Sequence, residues 1–209
     1  RRVTKKKLCW IVLNSQSGRY ERKATECDIK ATDKAIDMLK GMSIPVRELP
    51  YMHMSHERND LPSLGYDYVH SFFSPRTLFA IADLFERFKS DQISPTNRRW
   101  LKYLVTSVLD THLVVRNRYL IDKHHASGTS CGPLSGTLYV PTLQCEVNVY
   151  DALRKKLKKI ISAGESLCRE RGLVSNQPAQ SLDLPEESVD YIFIDPPFGA
   201  NINYSDLNF

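Results

Sequence analysis

The sequence predicts an α/β protein, and three consecutive patterns near its C-terminal end support that prediction. Residues 150–171 have the apolar spacing of a helix, and residues 173–177 could form a short strand. Residues 189–194 (VDYIFI) are almost continuously apolar, as expected of a central parallel strand that is covered on both faces. A helix followed by such strands implies a sheet with helices packed on it. The residues that the helix is expected to bury are Leu153, Leu157, Ile160 and Ile161.

The composition is that of a globular protein, since 42% of the 209 residues are hydrophobic and 25% are charged. No apolar run is long enough to span a bilayer, and no repeat indicates collagen or a coiled coil. The five cysteines are widely spaced without a CxxC pair, which predicts reduced thiols in a cytoplasmic protein. Because the chain opens on Arg1 rather than Met, we expect it to be a piece of a longer protein.

The N-terminal third is expected to contain a hairpin, a helix and an irregular loop. The apolar run 7–14 and the turn-like residues 15–18 indicate the hairpin. A helix is predicted over 25–40, because acidic residues come early and Gly41 follows its end. Residues 45–65 contain three prolines and no clear period, which predicts an ordered loop with an irregular backbone.

Two helices with the same N-terminal signal follow. Ser74-Pro75 and Ser94-Pro95 each place a serine at the N-cap and a proline in the first turn, where its missing N–H costs nothing. We expect these helices to pack as an antiparallel pair, followed by a loop over 121–135 and short strands at 137–140 and 146–149. The residues expected to be buried in the second helix are Trp100, Leu101, Leu104, Val105, Val108 and Leu109.

The positive charge of the chain is clustered. The formal net charge is +5, and the excess falls at residues 1–7, 98–102 and 154–159. Such clusters neutralise phosphates and give sequence-independent affinity for nucleic acid, although a lysine-rich helix face turned to water has the same composition. The candidate nucleic-acid contacts in the last cluster are Arg154, Lys155 and Lys158.

The apolar residues 189–194 run directly into Asp195-Pro196-Pro197-Phe198-Gly199. In open α/β sheets, ligands bind beyond the carboxyl ends of the strands, so an acid and an aromatic residue here lie where active sites occur. Asp and Pro are also favoured in turns for their own reasons, and a strand-ending turn is the alternative interpretation. The buried strand predicted before the motif favours an active site.

An Asp-Pro-Pro-Phe sequence after a hydrophobic strand is similar to the catalytic motif of methyltransferases that modify exocyclic amino groups of nucleobases. Residues 188–209 (SVDYIFIDPPFGANINYSDLNF) resemble bacterial DNA methylases of the adenine-N6 or cytosine-N4 type. Residues 66–72, 73–78 (FSPRTL) and 132–140 (GPLSGTLYV) resemble one group of large DNA methylases. The resemblance implies part of a Rossmann-like, S-adenosylmethionine-dependent methyltransferase sheet with a helical and β-hairpin elaboration.

The resemblance also implies a division of the chain into three parts. Residues 1–70 would form an N-terminal elaboration of hairpin, helix and loop. Residues 71–135 would form a helical segment that contacts DNA or selects the target. Residues 136–209 would be the part of the catalytic domain that ends in the motif.

Each motif residue has a role in the implied reaction. An exocyclic amine is a poor nucleophile because its lone pair is delocalised into the ring, and acceptors around its hydrogens favour a tetrahedral nitrogen that attacks a methyl sulfonium. The Asp195 carboxylate and the Pro196 carbonyl would be these acceptors, and Pro197 would hold them stiffly. Phe198 would stack on the target base, which must flip out of the duplex. The residues that would line the base pocket or order the following loop are Gly199, Asn201, Asn203, Tyr204 and Asp206.

The implied methyl donor is S-adenosylmethionine, which needs a glycine-rich turn after a sheet strand. The sequence has no such turn, so the donor-binding motif is expected to precede this chain or, in a permuted arrangement, to follow it. The resemblance makes Ala179, Gln180 and Asp195 candidate contacts to the donor. Glu146 could contact the donor's ribose or could be an acid at a strand edge.

No metal site and no membrane partner are predicted. His53, His56 and Glu57 lie close together in sequence, and His124-His125 form a second pair. Histidines in loops without cysteine partners more often face solvent than bind a metal.

Two other functions fit the same residues. Methyltransferases that act on guanine amino groups in RNA share the Asp-Pro-Pro-aromatic sequence, and a nucleic-acid-binding protein without activity would keep the fold as a relic. The block 132–140 favours DNA by resemblance. The sequence leaves open the target base, the recognition sequence, the oligomeric state and a role in restriction-modification, phage defence or regulation.

Overall fold

The computed structural model describes residues 7–15, 18–121, 129–134, 136–166, 172 and 174–196. Within these residues lie four α-helices and two antiparallel β-hairpins, and no helix there has the length and apolar character needed to cross a membrane. The helices are α1 (Glu26–Leu39), α2 (Pro75–Arg87), α3 (Pro95–His112) and α4 (Val149–Ser166). The strands are β1 (Trp10–Ser15), β2 (Gly18–Lys23), β3 (Arg118–Ile121) and β4 (Thr129–Gly132).

The predicted N-terminal hairpin and the helix after it are confirmed. β1 pairs with β2 in a register that places Trp10 opposite Lys23. α1 begins with a capping box, in which the Thr25 backbone N–H donates to the Asp28 carboxylate at 2.8 Å. The Arg22 guanidinium donates to the same carboxylate at 2.7 Å, and this bond is the main reason that the pKa of Asp28 lies well below its usual range. The ion pair connects the hairpin to the helix.

The segment between α1 and α2 is irregular, as predicted, but it is not loosely packed. It contains a π-helical turn over His53–Arg58 and 3₁₀ turns over Pro62–Leu64 and Val69–Phe72. The loop core, as we call the hydrophobic cluster built largely on this segment, also includes two residues after α3. Its members are Leu49, Met52, Leu61, Tyr66, Phe72, Val114 and Val115.

The predicted starts of α2 and α3 are confirmed, and their caps explain them. The Ser74 Oγ accepts a hydrogen bond from the Thr77 N–H at 3.2 Å, and the Ser94 Oγ accepts one from the Asn97 N–H at 3.2 Å. Each serine thus satisfies a backbone donor that the first helical turn leaves without a partner. The proline after each serine needs no such acceptor.

α2 and α3 were predicted to pack as an antiparallel pair, but their backbones are not close neighbours, although side chains of both enter one hydrophobic cluster. The backbone of α3 lies against α4, which also approaches α2, while α1 lies against α2. Apolar spacing identifies the buried face of a helix but does not identify its partner, and α4 comes from a distant part of the chain. The helix core, as we call the resulting cluster, consists of Ala80, Ile81, Phe88, Val105, Val108, Leu113, Val149, Ala152 and Leu153.

Three residues predicted to lie inside the helices are exposed. Trp100 on α3 has 59% of its surface exposed, and Leu157 and Ile161 on α4 are also exposed. The helix core takes up the faces centred on Val108 in α3 and Ala152 in α4, which are too narrow to include these side chains. The prediction of burial is therefore wrong for all three.

The strands predicted at 137–140 and 146–149 are absent. Residues 143–145 instead run along the edge of β3. The Cys145 N–H donates a hydrogen bond to the Asn117 carbonyl there, at 2.9 Å. Residues 146–148 lead directly into α4, which begins at Val149, and the Asn148 side chain accepts a hydrogen bond from the Asp151 N–H at 3.1 Å. A residue that caps a helix cannot also continue a strand, which explains the difference.

The strands predicted near the C-terminal end are not formed among the described residues. Residues 174–177 and 189–194 have no strand partner there, and Val174 is 96% exposed. A strand needs a hydrogen-bonded neighbour, and each of the two described sheets consists of one hairpin that includes none of these residues. The Rossmann-like sheet and the three-part division of the chain stay predictions.

The prediction of reduced thiols is wrong for one cysteine. Cys145 is disulfide-bonded, whereas Cys9 and Cys27 are free and exposed. The wide spacing of cysteines in sequence therefore did not exclude a bond, because residues distant in sequence meet when the chain folds.

Candidate functional site

The predicted motif begins at the end of an exposed, extended segment. Asp195 and Pro196 are exposed and belong to no helix or strand of the described chain. Asp195 makes no hydrogen bond or ion pair with any other described residue, so its carboxylate oxygens are available as acceptors. The remaining predicted motif and pocket residues lie outside the described residues; they are Pro197, Phe198, Gly199, Asn201, Asn203, Tyr204 and Asp206.

The segment before Asp195 exposes a continuous set of apolar side chains. Tyr191, Ile192, Phe193 and Ile194 have between 67% and 80% of their surfaces exposed. Contiguous apolar surface of this kind usually marks a place where other protein packs. The segment therefore has the composition of a buried strand. The described part of the chain does not supply the neighbouring elements that would bury it.

The residues predicted to contact the methyl donor lie in a separate turn. Ala179 and Gln180 are exposed within a turn that is closed by a hydrogen bond from the Ser181 N–H to the Pro178 carbonyl at 3.1 Å. No hydrogen bond joins this turn to Asp195 among the described residues. The described part of the chain also lacks a glycine-rich turn leading directly from a strand into a helix. The described residues therefore show no complete site for S-adenosylmethionine, and contacts of Ala179, Gln180 and Asp195 to the donor stay predictions.

The predicted basic residues of α4 lie on its exposed side. Arg154 pairs with Asp151 at 3.4 Å, while Lys155 and Lys158 are exposed and have no ion pair within the described residues. Arg154 and Lys158 are four residues apart and thus on one helix face. This face carries positive charge without burying it.

The basic cluster of α3 divides into two kinds of residue. Arg98 serves the fold, because its guanidinium donates to the carbonyls of Ser90 and Ile93 at the start of the helix. Arg99 and Lys102 are exposed and form no ion pair within the described residues. Charge counting grouped all three together, but only the last two are available to a partner.

An aromatic pair on α3 was missed by the sequence analysis. The rings of Trp100 and Tyr103 meet edge to face with their centroids 5.9 Å apart, and both side chains are exposed. The sequence contained a signal that Trp100 lies outside the buried face, because Leu101, Val105 and Val108 already form a complete i, i+4, i+7 stripe. Trp100 falls outside that stripe.

The weaker candidates have structural partners. Glu146 forms an ion pair with Arg76 at 3.0 Å, which joins the start of α2 to the segment before α4. Glu57 accepts from the Tyr51 hydroxyl at 2.8 Å and meets His53 Nδ1 at 2.9 Å, and these bonds, the one from Tyr51 first, lower the pKa of Glu57. No group of three or more possible metal ligands occurs in the described ranges, and His124-His125 lie outside them.

Comparison with known proteins identifies no relative. No protein-family model matches the chain, and no match was found among curated proteins or among solved structures.

Proposed function

We propose that the chain is part of a DNA methyltransferase that modifies the exocyclic amine of adenine (N6) or cytosine (N4). One observation carries the proposal: Asp195-Pro196 directly follow the apolar residues 189–194, whose side chains are exposed in the described chain. A run of this composition needs cover on both faces, which a parallel methyltransferase sheet would supply. The motif would then stand at the carboxyl end of a central strand, where ligands bind in such sheets.

The proposed chemistry requires acceptors rather than a nucleophile from the protein. The Asp195 carboxylate would accept one hydrogen of the amino group, and the Pro196 carbonyl would accept the other. The lone pair of the nitrogen would then be directed away from the ring and toward the incoming methyl group. Phe198 would hold the extruded base by stacking on it.

The proposed donor is S-adenosylmethionine, which supplies an electrophilic methyl group when it is bound. We assign most of the donor-binding site to protein outside the described residues. Within the described residues, Ala179 and Gln180 are the candidates for contact with the donor. The proposed location is the cytoplasm, where the bacterial DNA methylases that residues 188–209 resemble would meet their substrate.

Exposed cations on two helices support a nucleic-acid substrate, and the choice of DNA follows the resemblance of residues 132–140 to DNA methylases. Lys155 and Lys158 on α4, and Arg99 and Lys102 on α3, are exposed and form no ion pair within the described residues. Each such cation releases a counterion from a phosphate that it contacts, which contributes affinity that does not depend on sequence.

The test is methyl incorporation from labelled S-adenosylmethionine by the complete protein, compared on duplex DNA and on structured RNA. We expect incorporation into DNA, and we expect Asp195→Asn to lower it at least about 100-fold, because the charged acceptor is lost. Asp183→Asn is the matched control: it removes the same charge from an exposed residue that lies before the predicted strand 189–194, and it should stay within about twofold of the unchanged protein.

The outcomes separate the proposal from its alternatives. Incorporation into RNA alone would identify an RNA methyltransferase that uses the same motif. Absence of incorporation into either substrate, with DNA binding retained and the donor saturating, would identify a binding protein without activity. An Asp195→Asn protein as active as the Asp183→Asn control would refute the role of the motif.

A further inference from the structure

We propose that the first half of α3 binds single-stranded DNA through an aromatic and basic surface. This surface, the α3 patch, consists of Trp100, Tyr103, Arg99 and Lys102. This inference adds to the proposed function a place on the molecule that binds unpaired nucleotides. It rests on the proposed function for the choice of DNA. The residues of the motif take no part in it.

The first argument is the exposure of two large rings side by side. Trp100 is 59% exposed and Tyr103 is 53% exposed, although both belong to a well-formed helix. Their edge-to-face contact, with an interplanar angle of 82°, leaves ring faces open to solvent. Since the helix core is filled by Val105 and Val108 without them, folding does not require these rings at this place.

The second argument is charge. No acidic residue occurs between residues 95 and 109, and the first acid of α3, Asp110, pairs with Arg116 at 3.1 Å. Some exposed cations elsewhere are neutralised within their own helix: Arg87 on α2 pairs with Asp83 at 2.7 Å. Arg99 and Lys102 have no such partner among the described residues. The α3 patch is thus positive without internal neutralisation.

Rings beside free cations match the chemistry of a single strand. A nucleobase has a π face that stacks on tryptophan or tyrosine, and the phosphates on either side need positive charge. In a duplex the base faces are already stacked on each other, so only the cations of the patch would be used. Charge complementarity therefore favours nucleic acid, and the aromatic pair favours an unpaired strand.

The first experiment measures the anisotropy of a labelled dT20 oligonucleotide titrated with the 209-residue chain. We expect Trp100→Leu to weaken binding about tenfold or more, because a stacked base is lost, and Trp100→Phe to restore most of the affinity. Tyr150→Leu removes an equally exposed ring from α4 and is the matched control, expected to bind dT20 like the unchanged chain. The same titration with a duplex should show weaker binding that Trp100→Leu does not change.

A second measurement reports stacking directly. The chain has two tryptophans, so Trp10→Phe leaves Trp100 as the only one. We expect dT20 to quench the remaining fluorescence. In the reverse variant, Trp100→Phe, the fluorescence of Trp10 should stay unchanged when dT20 is added.

A third measurement tests the cations. We expect Arg99→Ala with Lys102→Ala to lower the slope of log affinity for dT20 against log salt by about 1.4, since each cation contributes about 0.7 on a single strand. Lys30→Ala with Lys34→Ala removes the same charge from the exposed side of α1 and should leave the slope unchanged.

The proposal is overturned if the chain does not bind dT20, if Trp100→Leu binds it like the Tyr150→Leu control, or if a duplex binds as tightly with the same losses. Tighter binding of rU20 than of dT20 overturns the assignment to DNA. These readouts need no methyl transfer, so the α3 patch and the proposed activity fail separately. Circular dichroism of each variant verifies that the helices are intact.

Discussion

Leu61 and Leu143 have the same side chain in very different surroundings. Leu61 is 1% exposed and packs within the loop core, between the π-helical turn and the first 3₁₀ turn. Leu143 is 67% exposed beside β3, where its carbonyl accepts from the Tyr119 N–H. At the scale of single residues, stability depends on which apolar groups leave water, and the irregular segment buries a hydrophobic cluster of its own.

This difference predicts the cost of shortening each side chain. We expect Leu61→Ala to lower the free energy of unfolding by about 2–5 kcal/mol, because it removes buried groups and leaves a cavity. Leu143→Ala, the matched control, should change it by less than about 0.5 kcal/mol. Urea denaturation followed by circular dichroism measures both. Equal effects would mean that the loop core does not support the fold.

At the scale of elements, local signals decided where helices begin. The Ser-Pro starts of α2 and α3 were predicted because a serine side chain and a proline ring each suit the first turn of a helix. These interactions span at most four residues, so the rest of the molecule does not need to be known. The partners of the helices were mispredicted, because the backbone of α3 lies against α4, which comes from a distant part of the sequence.

The cap of α2 gives a prediction at this scale. We expect Ser74→Ala to destabilise the protein by about 1 kcal/mol, because the Thr77 N–H loses its acceptor. Ser63→Ala is the control, as Ser63 is exposed and makes no hydrogen bond in the part of the chain that the structure describes. Thermal unfolding should show a lower midpoint for the first variant only. Retention of the original midpoint in Ser74→Ala would show that the cap contributes nothing.

At the scale of the whole molecule, one side chain joins the two hydrophobic clusters. Phe73 stands between the second 3₁₀ turn and α2, and it packs against both the helix core and the loop core. The Val115 N–H also donates to the Phe72 carbonyl at 2.7 Å, which fastens the chain after α3 to the same place. These contacts should make the two clusters unfold together.

Hydrogen exchange tests this coupling. We expect Phe73→Ala to reduce protection of the backbone amides of Val108, in the helix core, and Leu49, in the loop core, by about 1 kcal/mol or more at both. Phe73→Leu keeps apolar contact with both clusters and should reduce the protection of these two amides less than Phe73→Ala does. Loss of protection at only one amide would show that the clusters open independently.

The sequence by itself determined the features that depend on near neighbours. The N-terminal hairpin, the starts of three helices and the irregular loop were predictable, because turn residues, caps and apolar spacing act over a few positions. Asp195 is exposed, the strand predicted before it was not found among the described residues, and the site at that position stays a prediction.

Only the tertiary structure decided which elements meet and which side chains remain in solvent. It placed α4 against α3, left Trp100 and Tyr103 exposed, and joined Glu146 to Arg76. Such outcomes depend on packing between segments far apart in the chain, where the gain from burial is shared among many side chains. Periodicity reports that a helix has an apolar face, but the width of the partner decides how much of that face is covered.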